Sequence, residues 1–268
     1  MVPALGQGTW RMGEVRSRAA AEVAALRQGI ELGLTLIDTA EMYGDGGAER
    51  VVAQAIAGQR DRIFLVSKIS PHHASASGVA KACAASLARL GTDRIDLYLL
   101  HWRSNHPMAD TVAAFERLRE ASHICFWGVS NFDADDMAEL ARLPAGAACA
   151  ANQVLYNPEH RGIEFDLIPW CRAHEMPIMA YSPIGQGGRL LRSPALAAVA
   201  RRHGVTPAQI ALAWSLRDGT TISIPKALAL DHIRQNAASA EIQLTIEDLA
   251  EIGAAHPPPR RKQSLGML

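Results

Sequence analysis

The sequence predicts a (β/α)8 barrel of the α/β class, and three observations carry that prediction. Short β-prone segments alternate with longer helical stretches along the whole chain. Several of these segments are apolar on consecutive residues, as in Leu97-Tyr98-Leu99-Leu100, which is what a parallel sheet covered on both faces requires. The β segments number eight, and a βα repeat of that number closes on itself without leaving edges. An open doubly wound sheet is the structural alternative.

The elements follow in order. ALGQG (4–8) supplies the first strand, and Ser17 precedes an alanine-rich helical run over 20–32 that ends near Gly33. LTLIDT (34–39) and RIFLVSK (62–68) are the second and third strands, with helical spacing over 79–90 after the latter. RIDLYLLHW (94–102) leads into a helix over 111–120, and HICFWGVS (123–130) into one opened by Asp133 over 133–142. CAANQV (149–154) and MPIMAYS (176–182) follow, separated by helical spacing over 165–174. A helix over 194–203 and another begun by Thr206-Pro207 and running to Arg217 precede the last strand, TTISIPK (220–226). No composition break marks a linker, so 1–268 is one domain, and the proline-rich, basic tail at 257–268 reads as surface coil.

Bulk properties narrow the function. The 27 basic residues balance 27 acidic ones, which argues against an electrostatic search for nucleic acid and leaves a small-molecule partner. Cys83, Cys125, Cys149 and Cys171 are scattered without a C-x-x-C pair, as expected of free thiols in the cytosol. No run approaches the ~20 apolar residues of a membrane helix, and no export signal is legible in MVPALGQGTW.

In such barrels the chemistry gathers at the carboxyl ends of the strands. Here those ends are polar: Asp38 with Tyr43 just beyond, Lys68, His101, Ser130-Asn131, Gln153, Tyr181-Ser182 and Lys226. Any one of them is more simply a cap, a solvated end or a satisfied core group. Four ionisable groups from three consecutive strands meeting on one rim are harder to explain that way, because a buried charge costs several kcal/mol unless paired. Asp38, Tyr43, Lys68 and His101 compose a proton-transfer device: Asp38 holds Lys68 charged, Lys68 favours the Tyr43 phenolate, and His101 orients an oxygen. Such a device protonates a carbonyl oxygen or deprotonates an alcohol and leaves the hydride to a cofactor. Lys68 as a Schiff-base former is the competing mechanism. Against it stand Ser130, Asn131, Gln153, Ser182 and the glycine-rich 185–188 turn, which suit an amide and a pyrophosphate. GQGTWRMG has the wrong spacing for a Rossmann fingerprint, and His72-His73 lacks a third ligand, so no metal is expected.

At this point the chain resembles the aldo-keto reductase superfamily, from Gly6 to about Ile252. The motifs appear in order: GQGTW, LIDTAEMYG, VSK, IDLYLLHW, GVSNF, NQVLYNP, AYSPIGQG and IPKALALDHIRQN. The resemblance implies that Tyr43 is the general acid, that Lys68 and Asp38 tune it, and that His101 orients the carbonyl. It further implies that Trp10 and Trp102 wall the substrate pocket alongside Tyr43 and His101, with Thr9 and Trp10 beside the cofactor. Ser130, Asn131 and Gln153 would hold the carboxamide, and Tyr181 would stack on the nicotinamide ring. Ser182, Pro183, Ile184 and Gln186 would cradle the pyrophosphate, and Ile224, Pro225, Lys226, His232, Gln235 and Asn236 would take the adenosine end.

Three departures qualify the match. Where NADPH-preferring members carry a serine or threonine after the IPK lysine and an arginine six residues beyond that lysine, this chain has Ala227 and His232. Arg234 would point to another helix face, so the expectation is NADPH with a reduced margin over NADH. The chain begins almost at strand one, where family members usually have a hairpin plugging the barrel floor. The short tail and the short loop after Tyr181 imply an open pocket suited to small aldehydes and 2-oxoaldehydes, as in the bacterial methylglyoxal-reducing branch. The expected assembly is a monomer, and a cofactor-binding scaffold with little turnover is the reading from another class.

Overall fold

The computed structural model describes residues 2–268. Its strands are β1 (Gln7–Gly8), β2 (Leu36–Asp38), β3 (Phe64–Ile69), β4 (Ile95–Leu100), β5 (Ile124–Ser130), β6 (Asn152–Leu155), β7 (Ile178–Tyr181) and β8 (Thr221–Ser223). They pair in parallel in sequence order. The sheet then closes on itself: Leu5 bridges Ser223 in parallel, and the amides of Gly6 and Gly8 donate to the carbonyls of Ser223 and Pro225 at 2.8 and 3.0 Å. Gly8 is required at this seam, because a Cβ there would lie 2.8 Å from the Ile224 carbonyl oxygen. The barrel, not the open sheet, is the observed solution.

The helices are α1 (Ala19–Glu31), α2 (Gly47–Ile56), α3 (Gly78–Leu90), α4 (Met108–Glu120), α5 (Ala134–Ala141), α6 (Leu167–Ala173), α7 (Pro194–His203), α8 (Pro207–Leu216), α9 (Leu230–Ala238) and α10 (Ile246–Ala255). Asp133 and Thr206 cap α5 and α8 through capping boxes, as their spacing implies. Ser17 does not cap α1: a 3-10 turn at Arg16–Arg18 intervenes, and no side chain bonds to the first helical amides. Sequence spacing overlooked α2, α9 and α10. The first lies in a run whose start is a left-handed turn through Gly44, Asp45 and Gly46, not a side-chain cap.

Two apolar layers hold the barrel. Inside it, Leu36, Val66, Leu97, Leu99, Ala151, Met179 and Ile224 fill the interior. Between sheet and helices runs a larger layer that includes Ile37, Leu65, Tyr98, Trp127, Val154 and Trp214. Alternation along each strand sends successive side chains to opposite layers, so strands buried on both faces read as continuous apolar runs.

Candidate active site

The carboxyl ends of the strands open into a cavity of about 990 Å³. Every candidate named from sequence lines it except Lys68: Thr9, Trp10, Asp38, Tyr43, His101, Trp102, Ser130, Asn131, Gln153, Tyr181, Ser182, Pro183, Ile184, Gln186, Ile224, Pro225, Lys226, His232, Gln235 and Asn236. Lys68 is wholly buried behind the wall.

Strand register assembles the ionisable group. Asp38 on β2 pairs with Val66 on β3, so Lys68 stands one pleat repeat higher on the same face. Its Nζ donates to Asp38 Oδ1 at 2.6 Å, to the Thr39 carbonyl at 2.9 Å and to the Tyr43 hydroxyl at 3.3 Å. Tyr43 is delivered by the turn after β2, in which its amide donates to the Ala40 carbonyl at 3.2 Å, and α2 begins after the left-handed turn at 44–46. His101 is placed by its own amide, which donates to the Ile69 carbonyl at 3.0 Å. Its ring meets Tyr43 edge-on at 5.6 Å between centroids and Trp102 at 5.1 Å.

These groups titrate as their surroundings dictate. Burial pushes the His101 imidazole down to about 3, with the Lys68 charge adding to the effect, so the ring is neutral at neutral pH. Burial alone would lower Lys68, but Asp38 and Tyr43 outweigh it and the ammonium is held above its ordinary value. The Tyr43 phenol is raised: burial dominates, and Lys68, which pulls it down, does not compensate. Lys68 thus favours the phenolate, as its position in the sequence implies, but burial outweighs that pull and the neutral phenol is the resting form.

The amide-bearing residues form a connected network. Gln153 Nε2 donates to Asp38 Oδ2 at 2.7 Å, so Asp38 has a partner on each oxygen. Asn131 Nδ2 donates to the His101 carbonyl at 3.0 Å, and Tyr181 donates its hydroxyl proton to Asn131 Oδ1 at 2.9 Å. Ser130 Oγ donates to the Gln153 carbonyl at 2.8 Å. Backbone strain concentrates here: Arg11, Asn131, Ser182 and Gln186 all take left-handed φ values from 49° to 64°. Non-glycine residues held in that region are a recurring mark of sites that position a ligand.

Sequence reading missed several wall residues. Arg11, Glu14 and Met42 follow the first two strands, Leu191 and Thr206 to Ala208 lie beyond β7, and Met267 and Leu268 come from the tail. The tail is coil, yet it does not stand clear of the pocket: Leu265 packs on the core and Lys262 pairs with Asp135 at 2.6 Å, so the last residues reach the cavity mouth. Their hydropathy was the available signal, and only the fold brings them to β7. Arg234 does lie on another face of α9, paired with Asp231 at 2.9 Å and outside the cavity wall. Among the described residues, no cluster of three or more His, Cys, Asp or Glu is placed to hold a metal. No described helix is long and apolar enough to cross a membrane.

Known proteins are similar to this chain along its whole length. A methylglyoxal reductase of Escherichia coli (strain K12), YeaE, is 51% identical over 100% of this chain and 95% of its own length. A glyoxal reductase of Bacillus subtilis (strain 168) is 30% identical over 88% of this chain and 84% of its own. Among solved structures, an aldo/keto reductase of Klebsiella pneumoniae in complex with NADP and acetate superposes with a TM-score of 0.98. It shares 51% identity and covers 100% of this chain and 96% of its own. The model of the aldo/keto reductase family matches residues 4–256, and the chain belongs to that family.

Proposed function

We propose that this protein is an NADPH-dependent reductase of small aldehydes and 2-oxoaldehydes, working as one barrel domain with Tyr43 as the proton donor. The observation that carries the reading is the Asp38–Lys68–Tyr43 chain of contacts facing His101 across one cavity. The cavity lies at the upper end of the roughly 300–1,000 Å³ usual for ligand sites. That suits a dinucleotide with a small carbonyl compound better than the small aldehyde of a Schiff-base lyase. Lys68 is also fully engaged by three oxygens, which leaves no free amine for an imine.

The residues present fit the cofactor. Ser130, Asn131 and Gln153 offer amide and hydroxyl groups at one end, the Tyr181 ring lies beside them, and Lys226, Gln235 and Asn236 line the other. When bound, the nicotinamide supplies hydride to the carbonyl carbon. The protein's own groups do the rest. A neutral Tyr43 phenol is the state that can donate a proton to the carbonyl oxygen, and the Lys68 ammonium at 3.3 Å stabilises the phenolate left behind. His101 Nδ1 is buried without a partner, so the neutral ring carries its proton on Nε2, from which it donates to the substrate oxygen. Trp10 and Trp102 wall the pocket around the substrate.

Ala227 and His232 in place of a hydroxyl and an arginine leave NADPH favoured by a reduced margin, with NADH also accepted. The buried thiols of Cys83, Cys149 and Cys171 and the exposed Cys125 suit a reducing cytosol, where the protein acts as a monomer on a small carbonyl compound without nucleic acid. The test is NADPH oxidation over a carbonyl panel that includes methylglyoxal, nitrobenzaldehyde and a bulky sterol ketone. Turnover confined to the sterol would overturn the substrate class, and a single burst of oxidation without steady turnover would favour a scaffold.

A further inference from the structure

The phenol of Tyr43 and the ammonium of Lys68 are carried by different elements, yet they meet at 3.3 Å. Before Tyr43 the turn is laced to β3, since the Thr39 and Glu41 amides donate to the Val66 and Lys68 carbonyls at 2.9 and 3.2 Å. After Tyr43 the tie runs through α2. The Tyr43 carbonyl accepts the Ala48 amide at 3.2 Å, and the next residue, Glu49, is fully buried. Glu49 Oε1 accepts the Ser67 hydroxyl proton at 2.7 Å, and its Oε2 accepts a hydrogen bond from Arg89 Nε on α3 at 2.6 Å. Ser67 immediately precedes Lys68 on β3, with its side chain on the opposite face. Glu49 thus fastens the helix that continues from Tyr43 to the strand residue beside Lys68.

No side chain caps α2, whose start is the left-handed turn at 44–46, so the position of that turn is set from outside the helix. The Arg89 side chain lies across it, where a Cβ on Gly46 would come within 2.5 Å of Arg89 Cδ, and Arg89 Nη2 donates to the buried Ser86 hydroxyl at 3.1 Å. On the other flank, a Cβ on Gly47 would lie 2.4 Å from the Gly13 carbonyl oxygen. A buried carboxylate costs more to place there than a well-packed apolar pair, which would serve stability as well or better. What the carboxylate adds is direction, because hydrogen bonds specify distance and angle where apolar contact does not. Reacting groups need that precision, since a displacement of about 1 Å can slow a chemical step severely.

We propose that Glu49 is a positioning residue for Tyr43, holding the phenol in register with Lys68 through Ser67 on one side and Arg89 on the other. This rests on the reading of Tyr43 as the proton donor. Glu49 and Ser67 lie outside the cavity wall, so losing their contact should slow the proton-transfer step and leave cofactor binding alone.

Single-turnover reduction of methylglyoxal by the NADPH-loaded protein, alongside calorimetric titration of NADPH, tests it as a double-mutant cycle. In the parent, Ser67→Ala should slow the single turnover about fivefold and Glu49→Gln about tenfold or more, with the NADPH dissociation constant changed by less than about twofold. In a Tyr43→Phe background, where no phenol remains to be positioned, the same substitutions should cost little further. An equal loss in both backgrounds, or an unchanged rate in the parent, would overturn the positioning role and leave Glu49 a structural ion pair. Ser67→Ala keeps Glu49 paired with Arg89, so it carries the test if Glu49→Gln does not fold. If Tyr43→Phe alone kept full turnover, the proton-donor reading would fall and this inference with it, an outcome distinguishable from the other two.

Discussion

The Asp38 carboxylate and the Lys68 ammonium meet at 2.6 Å with side-chain exposures of 3% and 0%. An ion pair so buried adds little net stability against an apolar pair of the same shape, yet losing either partner strands the other charge without solvent. The pair is better understood as a means of keeping an ammonium under a phenol. In the proposed mechanism that arrangement serves proton transfer.

Replacement of Asp38 by Asn leaves Lys68 charged, buried and facing only neutral groups. Urea denaturation at neutral pH should show a loss of about 3–5 kcal/mol. Replacing Lys68 by Met in the same chain should restore much of that stability without restoring turnover. A single Asp38→Asn variant as stable as the parent would mean that the pair is solvated in solution.

Tyr43→Phe removes the proposed proton donor and keeps the ring. Turnover should fall by at least about 10²–10⁴-fold, the usual contribution of a general acid, while the dissociation constant for NADPH stays within twofold or so, roughly the change expected when no bound contact is lost. Retained turnover would remove Tyr43 from the mechanism.

His101 gives a pH signature. Its folded pKa of about 3 lies below its ordinary 6.5. Below pH 6.5 the unfolded chain takes up a proton that the folded chain refuses. The stabilising contribution is therefore present above pH 6.5 and is lost as the pH falls towards 3, at up to about 1.4 kcal/mol per pH unit. His101→Asn removes this contribution, so its denaturation midpoint should fall less steeply than that of the parent between pH 6.5 and 4. Parallel profiles would mean that the imidazole is protonated without cost.

The adenosine end is open to engineering. His232 and Ala227 both face the cavity, and changing them together to Arg and Ser adds a bidentate cation and a hydroxyl where a 2′-phosphate would sit. The ratio of kcat/KM for NADPH over NADH should rise by about tenfold or more, the worth of one charge-assisted contact. An unchanged ratio would place the 2′-phosphate elsewhere.

The barrel was legible because its local signals are redundant: apolar runs mark the strands, and Asp133 and Thr206 mark helix starts by chemistry that acts within one turn. Asp38, Lys68 and His101 were legible because they stand at strand ends, where register brings them together, and Tyr43 because it follows within the turn after β2. The helix over Gly47–Ile56 was not, since its start is set by left-handed backbone and not by a capping side chain.

What the chain order by itself determined is the alternation of strands and helices, the level of each strand end and hence which polar groups can share a rim, because these follow from periodicity and short-range bonding. The tertiary structure decided matters that depend on long-range contact. Burial sets the titration of Tyr43 against the pull of Lys68, and the tail residues Met267 and Leu268 reach the cavity wall. Desolvation and closure are properties of the whole barrel, and no local stretch of residues encodes them.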